Sequence, residues 1–320
     1  MQVNVTSPSP GGLTDKQRKQ NLKRRNFKKN IPFLIMMIIP LALLLVFSYG
    51  PMYGVLIAFK DYSPGKGILG SPWNNFDHFK RMFSDFTFTR ALRNTIWISF
   101  LKIIFGFPAP IILALMLNEL RFVRFKKITQ TISYLPYFLS WVIIAAMMIE
   151  IFSPQRGIVN YIVTLFGGQP IHFLASRQWF VPIIVVTDIW QGIGYGSIIY
   201  LAAITGVDPA LYEAAELDGA TRFEKMRYIT IPSIMPIILV MLILRVGGIL
   251  SAGFDQILNM YNPSVYEVAD IIDTYVYRIG LIDFNFDYST AVGLFQNLVG
   301  LFMVGTSNYI VRRTTGQRIL

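Results

Sequence analysis

Glu213-Ala214-Ala215-Glu216-Leu217-Asp218-Gly219-Ala220, followed by Ile231-Pro232, is a polar island in a chain that is otherwise mostly apolar. Asp208 is a good N-cap, and Pro209 at the first helical position loses no hydrogen bond there. Gly219 is placed to end that helix in a left-handed conformation. Thr221-Arg222-Phe223-Glu224 then has the S/T-x-x-E form of a capping box, which opens a second helix. That helix is expected to stop near Pro232. On the first helix Leu211, Ala214 and Ala215 share one face, and Glu213 and Glu216 lie together on another. The expected product is a short bent element with an acidic rim.

Outside this island the chain is 53% hydrophobic over 320 residues, with a mean hydropathy of +0.49. Apolar runs long enough to cross a hydrocarbon core of roughly 30 Å occupy 33–59, 94–117, 180–205, 234–254 and 288–310, and a shorter uninterrupted run covers 132–149. The predicted fold is therefore all-α, a polytopic membrane protein with six helical spans. Eight lysines and arginines between Lys16 and Lys29 precede the first span and place the N-terminus in the cytoplasm by the positive-inside rule. Six spans return the C-terminus to the same side, where the inside segments hold 18 lysines and arginines against 9 outside. The net charge of +11 is thus a topology signal and a ligand for anionic membrane lipid, not a nucleic-acid surface. Residues 1–30 form a basic cytoplasmic tail, its first 12 residues disordered and 14–30 an amphipathic helix on the inner leaflet. Residues 31–312 form the membrane domain, with its cytoplasmic loop at 207–232, and 313–320 a cytoplasmic tail. No cleavage site follows the first apolar run, so it reads as a retained anchor.

The string E-A-A-x-x-D-G-A with I-x-I-P resembles the cytoplasmic EAA loop in the permease subunits of bacterial ABC importers. Tyr49-Gly50-Pro51-Met52-Tyr53-Gly54, Ala58-Phe59-Lys60-Asp61, Asn94-Thr95, Gly106-Phe107-Pro108-Ala109-Pro110, Trp190-Gln191-Gly192 and Thr274-Tyr275-Val276-Tyr277-Arg278 are similar to the carbohydrate branch typified by LplB-type and alginate-type permeases. The resemblance implies the six-helix type I importer fold in a bacterial inner membrane. It also implies a second homologous permease subunit, two ATPase subunits, an external solute-binding protein, and an oligosaccharide or polysaccharide fragment as cargo. On the same ground Glu213, Ala214, Ala215, Asp218, Gly219 and Pro232 would dock the ATPase. Met226 departs from the family, which often has an aromatic residue there. A secondary transporter is the rival, and would need an ion-coupling site but no docking helix.

Charged groups inside a span are costly and usually face the bundle interior. Three qualify: Lys102, Asp188 and Arg245. Asp188, Trp190, Gln191 and Tyr195 cluster on the fourth span with the aromatic faces and hydrogen-bonding groups that sugar sites use, and with Arg245 they are the candidate substrate pathway. The other reading packs Trp190 and Tyr195 against a neighbouring subunit and pairs Asp188 with Lys102 or Arg245. Trp190 and Gln191 are about 100° apart on a helix, and Gln191 is the expected pore-facing member. Span glycines such as Gly192, Gly194 and Gly196 serve close helix packing or a mobile kink.

No catalytic set is present. The chain has no P-loop, so it cannot cradle ATP itself, and no cofactor is expected. It also lacks cysteine, and its two histidines, His78 and His172, fall in segments read as external loops. A metal cage of the nitrogen–sulfur kind is therefore not expected. The segment 255–287, with six acidic residues against Arg278 alone, reads as an acidic outer surface that is either solvated or a seat for a binding protein.

Overall fold

In the computed structural model, residues 15–315 are described, with side chains from 30 to 313; the expectation of disorder in the first twelve residues lies outside them. The chain divides into two compact units, Met1–Leu56 and Ile57–Leu320. In the first unit a helix runs over Asp15–Leu44 and carries Pro32 and Pro40 inside it. It continues through a π turn at Leu45–Tyr49 into a 3-10 stretch over Gly50–Phe59. Helical structure thus follows without a gap from Asp15 to Phe59.

The second unit holds the other spans and, among the described residues, no strand beyond one isolated bridge between Lys60 and Trp73. The second span extends over Phe86–Glu119 and is wider than expected. Its N-terminus begins earlier because Asp85 caps it, its carboxylate accepting from the Thr87 and Phe88 amides. Burial raises the Asp85 pKa, but the Tyr275 hydroxyl at 2.6 Å and those two amides outweigh it and hold the carboxyl below its usual range. A π turn at Lys102–Gly106 breaks this span just before Pro108, where the missing proline N–H disturbs the α ladder.

The third span corrects the expectation of an uninterrupted run over 132–149. Val123–Phe138 and Trp141–Ile151 meet at 102°. Leu139 is extended and Ser140 caps the second half by accepting from the Ile143 amide, so the chain stops one helix and starts another within two residues. The bend sits against the fourth span, Phe180–Thr205, where a Cβ on Gly194 would lie 1.9 Å from the Ser133 carbonyl oxygen. Only glycine allows that approach.

The fifth span corrects a second expectation. The helix opened by the capping box does not stop near Pro232; it runs continuously over Arg222–Gly247. A π turn at Met226–Thr230 lets the Ile231 amide reach the Met226 carbonyl, so the register has already shifted when Pro232 arrives. The last span is Phe286–Arg313. With the bent pair counted as one, six helical segments among the described residues are long and apolar enough to cross a membrane.

Three apolar clusters hold the second unit together. One joins Ile98, Ile144, Phe180, Ile184 and Ile257. A second joins Phe88, Tyr275, Tyr288 and Val292 near the start of the last span, and a third joins Ala114, Tyr200, Ile204 and Ile234 at the other end. The segment 255–287 is less acidic in effect than its composition suggests. Asp270 is fully buried in a pair with Arg278, and Asp273 accepts a hydrogen bond from Gln296. Asn94 and Thr95 of the second span reach across to bind this segment, Asn94 donating to the carbonyls of Glu267 and Asp270 and Thr95 accepting from the Ile272 amide.

Candidate functional site

Between the first and third clusters lies a cavity of about 740 Å³. Its wall includes Asp188, Gln191, Gly192 and Tyr195 of the fourth span, Phe107 and Pro110 of the second, Tyr137 from the bend of the third, and Met241 and Arg245 of the fifth. Asp188, Gln191 and Tyr195 are spaced i, i+3 and i+7 and so share one helix face. Trp190, one position off that stripe, is 40% exposed and does not line the cavity. The other four candidates are brought together there.

Electrostatics in the wall centre on Asp188. Lys102, 3% exposed, donates to Asp188 Oδ1 at 2.8 Å, to the Ala252 carbonyl at 2.9 Å and to Gln256 Oε1 at 2.6 Å. All three protons of the ammonium are thereby satisfied, the condition for holding a charge away from water. Gln256 is itself held by the Ile184 carbonyl and the Thr187 hydroxyl, both at 2.8 Å. Arg245 makes a longer contact, 3.4 Å to Asp188 Oδ2, and its side chain is about half exposed (48%) to the cavity side. Asp188 therefore pairs with both cations, and the two pairings left open by the sequence coexist. Two cations thus meet one carboxylate in this cluster, Arg245 on the cavity wall and Lys102 buried outside it.

Sequence reasoning missed Tyr137. Its ring stacks on Tyr195 at 3.8 Å between centroids and 4° between planes, and Gln191 Nε2 donates to its carbonyl at 3.4 Å. No periodicity in 123–151 signals this, because the sharp bend delivers the ring. The stacked pair offers a flat aromatic surface, with amide and charged groups one helical turn away, suited to C–H faces and hydroxyls of a sugar.

The second candidate site is the loop 207–232. The Pro209–Leu217 helix forms as expected, with Asp208 accepting from the Ala210 amide. Gly219 has φ +80° and nothing near its Cβ position, so its role is conformational. The capping box between Thr221 and Glu224 is present in both directions. Glu216 pairs with Lys225 and the Tyr212 hydroxyl lies 2.9 Å from that of Thr230, which ties the short helix to the fifth span. Glu213, Ala214, Asp218, Gly219 and Pro232 are exposed and Ala215 is half-buried. Glu213 has no ion partner among the described residues, and Leu217 beside it is 90% exposed. The short helix thus presents an unpaired carboxylate and an exposed leucine on one outer surface.

Residues 106–315 match the family described as binding-protein-dependent transport system inner membrane components. The chain is 45% identical over 282 residues, 88% of each chain, to the polygalacturonan/rhamnogalacturonan transport system permease protein YteP of Bacillus subtilis strain 168. It is 46% identical to protein LplB of the same organism, over 89% of this chain and 90% of that one. Among solved structures it is similar to a chain of a bacterial alginate ABC transporter in complex with an alginate pentasaccharide-bound periplasmic protein. That match has a TM-score of 0.85 at 41% identity and covers 92% of this chain and 98% of the other.

Proposed function

Because the chain belongs to the family of binding-protein-dependent transport system inner membrane components, the membrane-spanning permease subunits of ABC importers, we infer that its cavity is part of a translocation pathway for an acidic oligosaccharide. Translocation and not catalysis is the work of such a subunit, and family membership leaves the secondary-transporter reading without support. The observation that carries the substrate reading is the half-exposed Arg245 guanidinium on the cavity wall, with a stacked tyrosine pair in the same wall and Asp188 already paired to the buried Lys102. A carboxylate on a sugar ring could take the free guanidinium donors in the paired geometry that arginine favours. The similarity to proteins named for polygalacturonan and alginate, both polymers of sugar acids, supports the same choice.

The rest of the assembly follows as part of this proposal. A second homologous permease closes the other half of the pathway, and two ATPases dock on the 207–232 loops through Glu213, Ala214, Ala215, Asp218, Gly219 and Pro232. A solute-binding protein delivers the cargo from outside. Both termini lie in the cytoplasm, on the charge asymmetry of the loops. Closure of the ATPases would pull on the short helix, and the continuous rod Arg222–Gly247 would carry that motion to Met241 and Arg245 in the cavity wall.

The test is uptake by the assembled transporter in vesicles, with the binding protein loaded either with oligogalacturonate or with a neutral oligosaccharide. Arg245→Gln is expected to lower oligogalacturonate uptake about tenfold or more, equivalent to about 1.4 kcal/mol, and to spare any neutral cargo. Equal effects on both cargoes, or none, would contradict the acidic-substrate reading.

A further inference from the structure

At the far end of the molecule from the coupling loop, three chain segments bring acceptors to one point. Asp61 follows the first span, His78 lies on the short helix Asp77–Ser84, and Asp287 is in the first turn of the last span. One ligand atom from each lies within 4.8 Å of the others. His78 Nε2 is 3.5 Å from Asp287 Oδ2, 3.9 Å from Asp61 Oδ1 and 3.1 Å from the Lys60 carbonyl oxygen. Within the segment between the first two spans, His78 is buried to 9% exposure on its short helix.

We propose that Asp61, His78 and Asp287, with the Lys60 carbonyl, bind a divalent transition cation of the zinc or manganese class. Donors held at about 2.0–2.2 Å from a common ion sit roughly 3–3.6 Å apart in a tetrahedral shell, so the separations from His78 need to close by only a few tenths of an ångström, and the exposed Asp61 side chain is free to swing toward Asp287. One imidazole with carboxylate and carbonyl oxygens favours these ions over magnesium or calcium.

Charge supports the assignment independently. Among the described residues neither carboxylate has a lysine or arginine partner. The nearby cations are engaged elsewhere: Lys60 Nζ donates to the carbonyls of Leu69 and Ser71 at 3.2 and 3.0 Å, and the Arg81 guanidinium lies over the Tyr288 ring at 4.8 Å. Two carboxylates facing one buried imidazole therefore lack a full counter-charge, which a divalent ion supplies. The ligands are also held in place. Asp287 accepts from the Tyr62 amide at 3.1 Å and the Tyr288 amide at 2.8 Å, and the His78 ring packs edge-on against Tyr288. Asp61, with a side chain 64% exposed, leaves the point open for an ion to enter. A bound ion would tie the end of the first span to the start of the last, whatever cargo the cavity takes.

The test is metal titration of the purified transporter complex after treatment with EDTA. Wild-type complex should bind one more equivalent of Zn²⁺ per copy of this chain than Asp61→Asn does. That variant keeps its fold because the Asp61 side chain is exposed. Mn²⁺ bound by the wild type should show a coupled imidazole nitrogen in its electron spin-echo spectrum, absent in His78→Gln. Zn²⁺ should raise the thermal midpoint of the wild-type complex and not of Asp61→Asn. Equal stoichiometry in wild type and Asp61→Asn would overturn the proposal, since the ion would then be adventitious or the cluster a plain imidazolium–carboxylate pair. Manganese without a nitrogen signal in the wild type would overturn it too.

Discussion

Lys102 carries a full charge into the middle of an apolar span, and the position of its three acceptors explains how the fold tolerates it. The π turn that begins at Lys102, the carbonyl of Ala252 and the Gln256 side chain are separate sequence features that meet only in the folded chain. Removing one member of such a buried set leaves the others unpaired, at a cost of roughly 3–5 kcal/mol. Lys102→Met is accordingly expected to lower the yield and thermal midpoint of the assembled complex, because Gln256 Oε1 and the Ala252 carbonyl lose their donor. A single mutant as stable as wild type would mean that the ammonium contributes no net stability. At this scale the sequence was partly readable. Asp188, Gln191 and Tyr195 fall on one helical stripe, and Lys102 and Arg245 are conspicuous as charges within spans. Gln256 and Tyr137 were not readable, because a loop and a bend bring them in and neither carries a periodic signal. Trp190 lies off the cavity wall because it is about 100° away from Gln191 on the helix.

Elements behaved as their local chemistry dictates wherever caps and turns decide them. Asp208, Gly219 and the Thr221–Glu224 box define the short helix and its turn as read. The two failures both concern breaks. Pro232 was read as a stop, yet the π turn before it absorbs the missing N–H and lets the coupling segment and the fifth span be one rod. The run 132–149 was read as uninterrupted, yet Leu139 and Ser140 divide it. Hydropathy reports only that a segment is apolar and is silent on whether it is bent. The continuous rod sharpens the expectation for coupling. Glu213, unpaired here, would meet a cation on the ATPase, and reversing its charge should cost several kcal/mol of docking. Glu213→Lys should therefore release the ATPase during purification and abolish uptake while the permease still inserts. Full recovery of ATPase and transport in that mutant would show that docking lies elsewhere.

For the molecule as a whole, family, span count and membrane class were legible from composition and the EAA island, since these depend on average properties and on one motif. The cavity was legible only as a list of polar residues; its wall depends on the 102° bend and on the close approach at Gly194. The central claim is that this cavity conducts the substrate, and the natural absence of cysteine allows a direct measurement. Single cysteines at Tyr195 and at Trp190, in otherwise wild-type chains within the assembled transporter, can be reacted with a small polar thiol reagent during ATP turnover, with and without oligogalacturonate-loaded binding protein. The predicted result is that saturating cargo slows labelling of Tyr195→Cys several-fold and leaves Trp190→Cys unchanged. Protection at Trp190→Cys with none at Tyr195→Cys, or protection at neither, would contradict the assignment of the cavity as the translocation pathway.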